Sequence, residues 1–345
     1  MAESPPTPPA DGVTLPEAPP VMRDQPNNFR GLGKILGFFA LMAVIAFVLD
    51  AFFNAGLRRI KTSKYGSFNR VVNGQVNAEI IINGSSRALV HYDPRVIQEA
   101  TGRSAYNLGL NGGLIDLQVA VLKTYLRHNK KPAVLIQNLE GFSFEVTGQE
   151  AIYDPAMFVP YLHEPELYRA LTAINPEVWK WRRIPLYGYA VEDMNFNWAR
   201  AAAAWVGVMP REDHFLGFNP RQLSWTEDFE AYRKNLKDSG VARRIDPAGV
   251  TAIEDVLRLC QEQGIRAILC YSPEYAESQA LLKNRAEIFA KFRTLAARFG
   301  ADFWDFSESP LCQSTANFYN SQHLNAAGAD QFSRAVAQRL KAELR

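Results

Sequence analysis

The stretch AEIIINGSSRALVHYDP, residues 78–94, decides the fold. Ala78–Gly84 is a β-rich apolar run that stops at a glycine, the pattern of a buried strand entering a turn. The turn needs Gly84, but it does not need two adjacent hydroxyls, Ser85 and Ser86. Similar runs recur downstream, each followed by a helical period. SAYNLGLNGG (104–113) is a short strand breaking into glycines, and IDLQVAVLKTYLRHN (115–129) carries Leu117, Val121 and Tyr125 at helical spacing. PAVLIQNL (132–139), IRAILCYSPEY (265–275) and ADFWDFS (301–307) read as further strands. VTAIEDVLRLCQEQG (250–264), NRAEIFAKFRTLAARFG (284–300) and the closing AAGADQFSRAVAQRLKAEL read as helices. Near-continuous apolar strands alternating with amphipathic helices predict a parallel sheet covered on both faces, a three-layer α/β/α architecture.

Residues 140–245 interrupt that alternation. They are dense in Pro and aromatics (YDPAMFVPYLHEPELY, WKWRRIPLYGY, GFNPRQLSWTEDF) and are expected to form a large insertion packed on the core. An aromatic-rich segment serves packing first; a sugar-stacking platform is the alternative. The α/β domain as a whole is expected over 65–345.

The N-terminal region is of another kind. Residues 1–30 form a Pro-rich tail without apolar period, expected to be disordered because it buries too little surface to offset its ordering entropy. Residues 31–57 then read as one transmembrane helix. From Ile35 to Leu57 only Asp50 and Asn54 interrupt the apolar run, and Ile35–Leu49 has no polar face. Arg23, Arg30 and Lys34 precede the span, while Arg58, Arg59, Lys61 and Lys64 follow it, a distribution that leans weakly towards a cytoplasmic C-terminal domain.

Composition removes several function classes. A net charge of +2 without a basic stripe gives no support for a nucleic-acid partner. The three cysteines, Cys260, Cys270 and Cys312, lack metal or disulfide spacing, and Cys260 and Cys270 sit in apolar patterns. No zinc site, phosphate-cradling loop or other cofactor signature is present, so neither metal nor cofactor is expected. His91 reads as a structural hydrogen-bonding group and His128 as a helix-terminal charge; His163 and His214 lack paired ligand spacing.

In open α/β sheets, ligands bind beyond the carboxyl ends of the strands. Ser85 and Ser86 end the first strand. Asn107, Gly109 and Asn111 follow the second, Asn138 and Glu140 the third, Ser272 and Glu274 the fourth, and Asp305 and Glu308 the fifth. His323 stands just ahead of the last helix, with Asn325 as the expected N-cap. These groups are expected to converge on one rim. A serine hydroxyl is a weak nucleophile until a base takes its proton, and His suits that role near neutral pH. The backbone N–H groups of Ser86 and Gly109, with the Asn111 or Asn138 amide, are candidate oxyanion donors. Arg87 reads either as a group orienting an acyl donor or carboxylate, or as a helix-start residue.

Three blocks carry a family resemblance: Gly84-Ser85-Ser86, Asn107-Leu108-Gly109 with Gly112, and Asn320-Ser321-Gln322-His323-Leu324-Asn325. With them, residues 78–345 resemble the SGNH/GDSL hydrolase superfamily, in its membrane-anchored branch of envelope acyltransferase-like proteins. The resemblance implies a flavodoxin-like fold with five parallel strands, Ser86 as nucleophile, His323 as base and Gly109 as oxyanion donor. It also implies small acyl esters of envelope polysaccharide as substrates. The implied partner is a membrane-bound O-acyltransferase, and the implied location of the soluble domain is outside the cytoplasm, at the inner membrane. The chain departs from the pattern twice. The usual Gly-x-Asn-Asp block is absent, leaving Asn138 as its only candidate amide. Asn320 stands where the family has the acid, so either Asp305 or Glu308 replaces it, or the site turns over slowly, or it no longer catalyses. In serine proteases the corresponding Asp→Asn change lowers kcat about 10⁴-fold, or roughly 5 kcal/mol of barrier. Two alternatives stay open: a non-catalytic accessory binding glycan or a membrane acyltransferase, and a cytoplasm-facing lipid-ester hydrolase.

Overall fold

The apolar runs become strands where their pattern places them. The computed structural model describes residues 1, 4, 28–146, 152–191, 196–226, 228–236 and 239–344. Five strands form its main sheet: β1 (Ile80–Asn83), β2 (Ala105–Asn107), β3 (Val134–Leu139), β4 (Arg266–Tyr271) and β5 (Asp302–Asp305). All neighbours are parallel, in the order β2-β1-β3-β4-β5. This is the flavodoxin-like order, with its topological switch between β1 and β3. Most of the Pro-rich tail expected over residues 1–30 lies outside the described residues.

Two helices precede the sheet, α1 (Asn28–Arg59) and α2 (Ser63–Val72). Between β1 and β2 run α3 (Ser86–His91) and α4 (Pro94–Thr101), and α5 (Ile115–His128) leads into β3. The insertion contributes α6 (Pro165–Ile174), α7 (Val178–Arg183), α8 (Tyr187–Ala190), α9 (Asn197–Trp205) and α10 (Asp228–Asn235). Then come α11 (Pro247–Gln263), α12 (Ala276–Ala280) and α13 (Arg285–Phe299). A hairpin of β6 (Phe318–Asn320) and β7 (His323–Leu324) precedes α14 (Ala326–Glu343).

Period-2 alternation sends side chains of each strand to two separate cores. Ile81, Leu135, Leu269 and Tyr271 pack with Val121 of α5, Val256 of α11 and Phe292 of α13. Ile80, Ile82, Ile136, Ile268 and Trp304 pack with Ala88 of α3, Ile97 of α4, and Phe332 and Val336 of α14. The sheet is therefore covered on both faces, which is why its strands show no polar alternation in sequence. The insertion joins the first of these cores through Leu167, Leu171, Val178 and Ala201. Its aromatics serve mainly as packing; Trp225, for example, sits 4.9 Å from Tyr275, ring centre to ring centre.

α1 contains the expected membrane-length helix: within Gly31–Arg59 the most apolar 18 residues have a mean hydropathy of 2.5. Gly31–Ile45 is exposed at every residue. The expected span to Leu57 is longer than the freely exposed stretch, because Leu57 is only 1% exposed within the hydrophobic core. The two polar interruptions mark the change. Asp50 accepts the Leu186 N–H at 2.9 Å, and Asn54 accepts the Tyr189 hydroxyl at 3.0 Å.

Gly84 closes β1 with φ +154°, and a Cβ there would lie 2.7 Å from the Ala88 Cβ and 2.8 Å from the Asn138 Cβ. Both neighbours are fixed by α3 and β3, so neither can yield freely. Gly84→Ala is expected to cost about 2–3 kcal/mol from overpacking and strained backbone together. A lowered denaturant midpoint at unchanged slope is the expected reading; unaltered stability would contradict this packing.

Candidate active site

α3 carries the hydroxyl. Ser85 is its N-cap, accepting the Arg87 N–H at 3.3 Å on Oγ and donating its own hydroxyl to the Glu140 carboxylate. Ser85 is thus buried and occupied with structure. Ser86 follows at the first helical position, part-exposed, where its N–H has no intrahelical partner.

The β6–β7 hairpin carries the imidazole. Asn320 Oδ1 accepts the backbone N–H groups of Gln322 at 3.1 Å and His323 at 3.0 Å, an Asx-type turn. Two backbone donors identify that atom as the amide oxygen. Its contact with His323 Nδ1 at 2.9 Å therefore requires a proton on Nδ1. Nε2 is left with its lone pair, 2.8 Å from Ser86 Oγ, and the serine hydroxyl donates to it. The hydroxyl and imidazole that are 237 residues apart in sequence meet at the rim of the sheet. Tyr319 stacks on the His323 ring at 5.4 Å and 12°.

Several expected contributors are engaged elsewhere. Asp305 accepts the N–H and hydroxyl of Ser307 and lies 3.5 Å from Arg293, and neither it nor Glu308 is a hydrogen-bond partner of His323. β5 is the sheet edge farthest from β1 on that side, so its end is remote from the switch-point crevice. The Nδ1 partner is Asn320 itself. Asn138 is buried in β3, its oxygen accepting the Tyr92 hydroxyl at 2.8 Å and its amide donating to Glu140 at 3.1 Å, which removes it as an oxyanion donor. The Gly109 N–H donates to Asn107 Oδ1 at 2.8 Å. Gly109 itself is required by close approach, since a Cβ there would meet the Leu89 nitrogen at 2.3 Å.

Arg87 is 2% exposed and points inward, away from any acyl donor. Its Nε donates to Ser272 Oγ at 3.2 Å, its Nη2 to the Ser272 and Pro273 carbonyls, and its Nη1 lies 3.4 Å from Glu274. Glu274 is committed further, accepting the Tyr271 hydroxyl at 2.7 Å. Burial raises the Glu140 carboxyl above its ordinary range, with Arg87 opposing the shift.

His91, which the sequence alone suggests is structural, completes the frame. Its Nε2 accepts the Leu324 N–H at 3.0 Å, so its Nδ1 carries the proton and donates to Ser272 Oγ at 3.0 Å. Burial, then Arg87 and His323, hold it well below the usual imidazole range. One short helix thus supplies the nucleophile candidate at one end and a clamp on the imidazole-bearing hairpin at the other. Neither His91's clamp nor the stacked Tyr319 was marked by spacing as a site feature; both act through contacts that only the fold creates.

A cleft of about 450 Å³ opens beyond β2, lined by Gly109, Asn111, Arg221 and the α2 residues Ser63, Ser67 and Phe68 among others, with neither Ser86 nor His323 in its lining. The Arg221 charge opposes the rise that burial gives the Tyr319 phenol. Asn111 is thus the expected amide that borders open space.

Burial, then the Arg87 and Arg221 cations, push the His323 imidazole down to about 3. A lowered pKa keeps the ring neutral, and so able to accept a proton, through the whole neutral and mildly acidic range. It also makes the ring a weak base, costly to charge. Ester hydrolysis by this pair is expected to stay flat as pH falls from 7 to 5, where an ordinary His of pKa about 6.5 would lose activity. Asn320→Asp places a carboxylate on Nδ1 and so raises the pKa. It is expected to increase the neutral-pH rate at least tenfold and to bring the acid limb upward. A limb near pH 6.5 in the parent, unmoved by Asn320→Asp, would contradict this electrostatic picture.

No family model matches the chain, and no curated protein does. Solved structures similar to it include a Bacteroides fragilis protein described as an acylhydrolase, 11% identical, with a TM-score of 0.36 over 77% of this chain and 88% of that one. They also include an acetyl xylan esterase, 14% identical, with a TM-score of 0.37 over 77% of this chain and 99% of that one.

Proposed function

We propose that the chain is a membrane-anchored, serine-dependent esterase or O-acyltransferase acting on small acyl esters of cell-envelope polysaccharide. The observation that carries the reading is the 2.8 Å contact between Ser86 Oγ and a His323 Nε2 held in its proton-accepting tautomer by Asn320. In the first step the Ser86 hydroxyl gives its proton to Nε2 while Oγ attacks the acyl carbonyl carbon. The ester C–O bond then breaks, and the leaving alkoxide takes the proton from Nε2. A sugar hydroxyl or water repeats the sequence in reverse, releasing the acyl group from Ser86. The Ser86 N–H, at the first helical position, and the Asn111 amide, which borders the cleft, are the candidate oxyanion donors. The cleft beside Gly109 offers room for an acceptor.

The polysaccharide substrate, the membrane-bound O-acyltransferase partner and the extracytoplasmic placement of the soluble domain rest on the resemblance of the three sequence blocks. Three of the four charges after the helix, which lean the other way, have structural duties that reduce their weight as a topology signal. Arg58 bonds the Pro160 carbonyl, Arg59 lies 4.3 Å over the Trp205 ring, and Lys64 pairs with Asp154.

A second reading, a non-catalytic accessory on the same fold, is favoured by Asn320 in place of an acid and by the occupied Gly109 N–H and Asn138 amide. Hydrolysis of an activated acetyl ester by the purified full chain separates the two. The enzyme reading expects turnover that falls at least 100-fold in Ser86→Ala and in His323→Ala. A parent rate no higher than that of Ser86→Ala would leave the accessory reading in its place.

A further inference from the structure

We infer that one end of the insertion, the Ile184 corner and the Trp205–Val208 segment, is a membrane-seated surface that holds the domain against the bilayer its own helix enters. The inference rests on α1 spanning that bilayer and does not depend on the catalytic reading.

The stretch Gly31–Leu49, apolar except for Lys34 near its start and exposed except at the half-buried Ala46, is 19 residues, about 28 Å of helix, which matches a hydrocarbon core of roughly 30 Å. Its end at Leu49 puts Asp50–Phe52 at the headgroup boundary. The insertion begins to touch α1 at that level. Leu186 N–H bonds Asp50, and Trp205 stacks on Phe52 at 5.2 Å and 9° while its Nε1 donates to the Phe52 carbonyl at 3.1 Å.

The direction of α9 follows from two contacts. Ala201 backs on Gly56, where an added Cβ would lie 2.2 Å from the Ala201 carbonyl, and Trp205 reaches Phe52. Advancing four residues along α9 retreats four along α1, so α9 is antiparallel and its C-terminal end points to the bilayer. The chain there is Trp205-Val206-Gly207-Val208, exposed at every residue, with Val206 at 79% and Val208 at 62%. Ile184 is a further exposed aliphatic at 41%, two residues before the Leu186 that bonds Asp50.

Exposed valines and isoleucine beside a tryptophan are poorly suited to water and well suited to the headgroup–acyl boundary, where Trp is enriched. Exposed cations accompany them: Arg183 adjoins Ile184, and Arg59 covers the Trp205 ring. Such a pairing of apolar side chains and basic heads fits phospholipid phosphate above acyl chain.

The test uses the full chain in phospholipid nanodiscs, with single fluorophore-labelled cysteines at Val206, Ile184 or Phe196 and a quencher carried on the lipid acyl chains. Cys260, Cys270 and Cys312 are buried and stay in place. Phe196 is the internal reference, exposed at 75% but at the opposite end of α9, about 15 Å from Val206 along the helix. Quenching at Val206 and Ile184 is expected to exceed that at Phe196 at least twofold. Equal quenching at all three sites, or stronger quenching at Phe196, would overturn the proposal.

Discussion

One buried hydroxyl holds the candidate site together. Ser272 Oγ, at the carboxyl end of β4, accepts both the Arg87 Nε at 3.2 Å and the His91 Nδ1 at 3.0 Å. Arg87 and His91 are near the two ends of α3, so a single acceptor fixes both the position and the rotation of the helix that presents Ser86. His91 then passes the constraint to Leu324 N–H, next to His323. Each buried donor left without that acceptor would cost about 1–3 kcal/mol, more for the guanidinium, so α3 has little freedom to shift. The Ser86–His323 distance is the consequence of this frame; no direct tie between the two residues beyond their own hydrogen bond sets it.

The electrostatics of the site follow from the same frame. Arg87 is buried to serve β4, and its charge reaches His323, where burial has already disfavoured the imidazolium. Asn320 orients the ring and selects its tautomer, yet its neutral oxygen offers no compensating charge. The arrangement suits holding a serine hydroxyl ready and is poor at stabilising the charge that proton transfer creates. Such a site is expected to turn over slowly. A slow site is compatible with acyl transfer to a specific acceptor, because it also limits loss of the acyl group to water.

Much of this was legible in the sequence, for identifiable reasons. A parallel sheet covered on both faces leaves unbroken apolar runs such as Ile80–Ile82 and Val134–Ile136, and those locate β1 and β3 directly. The rule that ligands gather at strand carboxyl ends then brought Ser86 and His323 into one list. The same rule over-collected. It says nothing of which strand lies far from the switch point, so it also collects Asp305 on the edge strand β5. It is also blind to side-chain direction: Arg87, one residue past Ser86, turns into the core, and Asn138 turns to Tyr92. The β6–β7 hairpin was invisible because two- and three-residue strands carry no period. In α1, hydropathy set the length of the apolar run but could not show that its last turns, from Asp50 on, belong to the folded domain.

In the proposed reaction Ser86 becomes acylated with His323 as the base. Peptide mapping by mass spectrometry after brief exposure of the full chain to an activated acetyl ester tests it most directly. An acetyl group on the peptide carrying Ser86, absent when His323 is replaced by Ala, is the predicted result. Acetylation confined to lysines, or a Ser86 adduct that forms equally well without the imidazole, would contradict it.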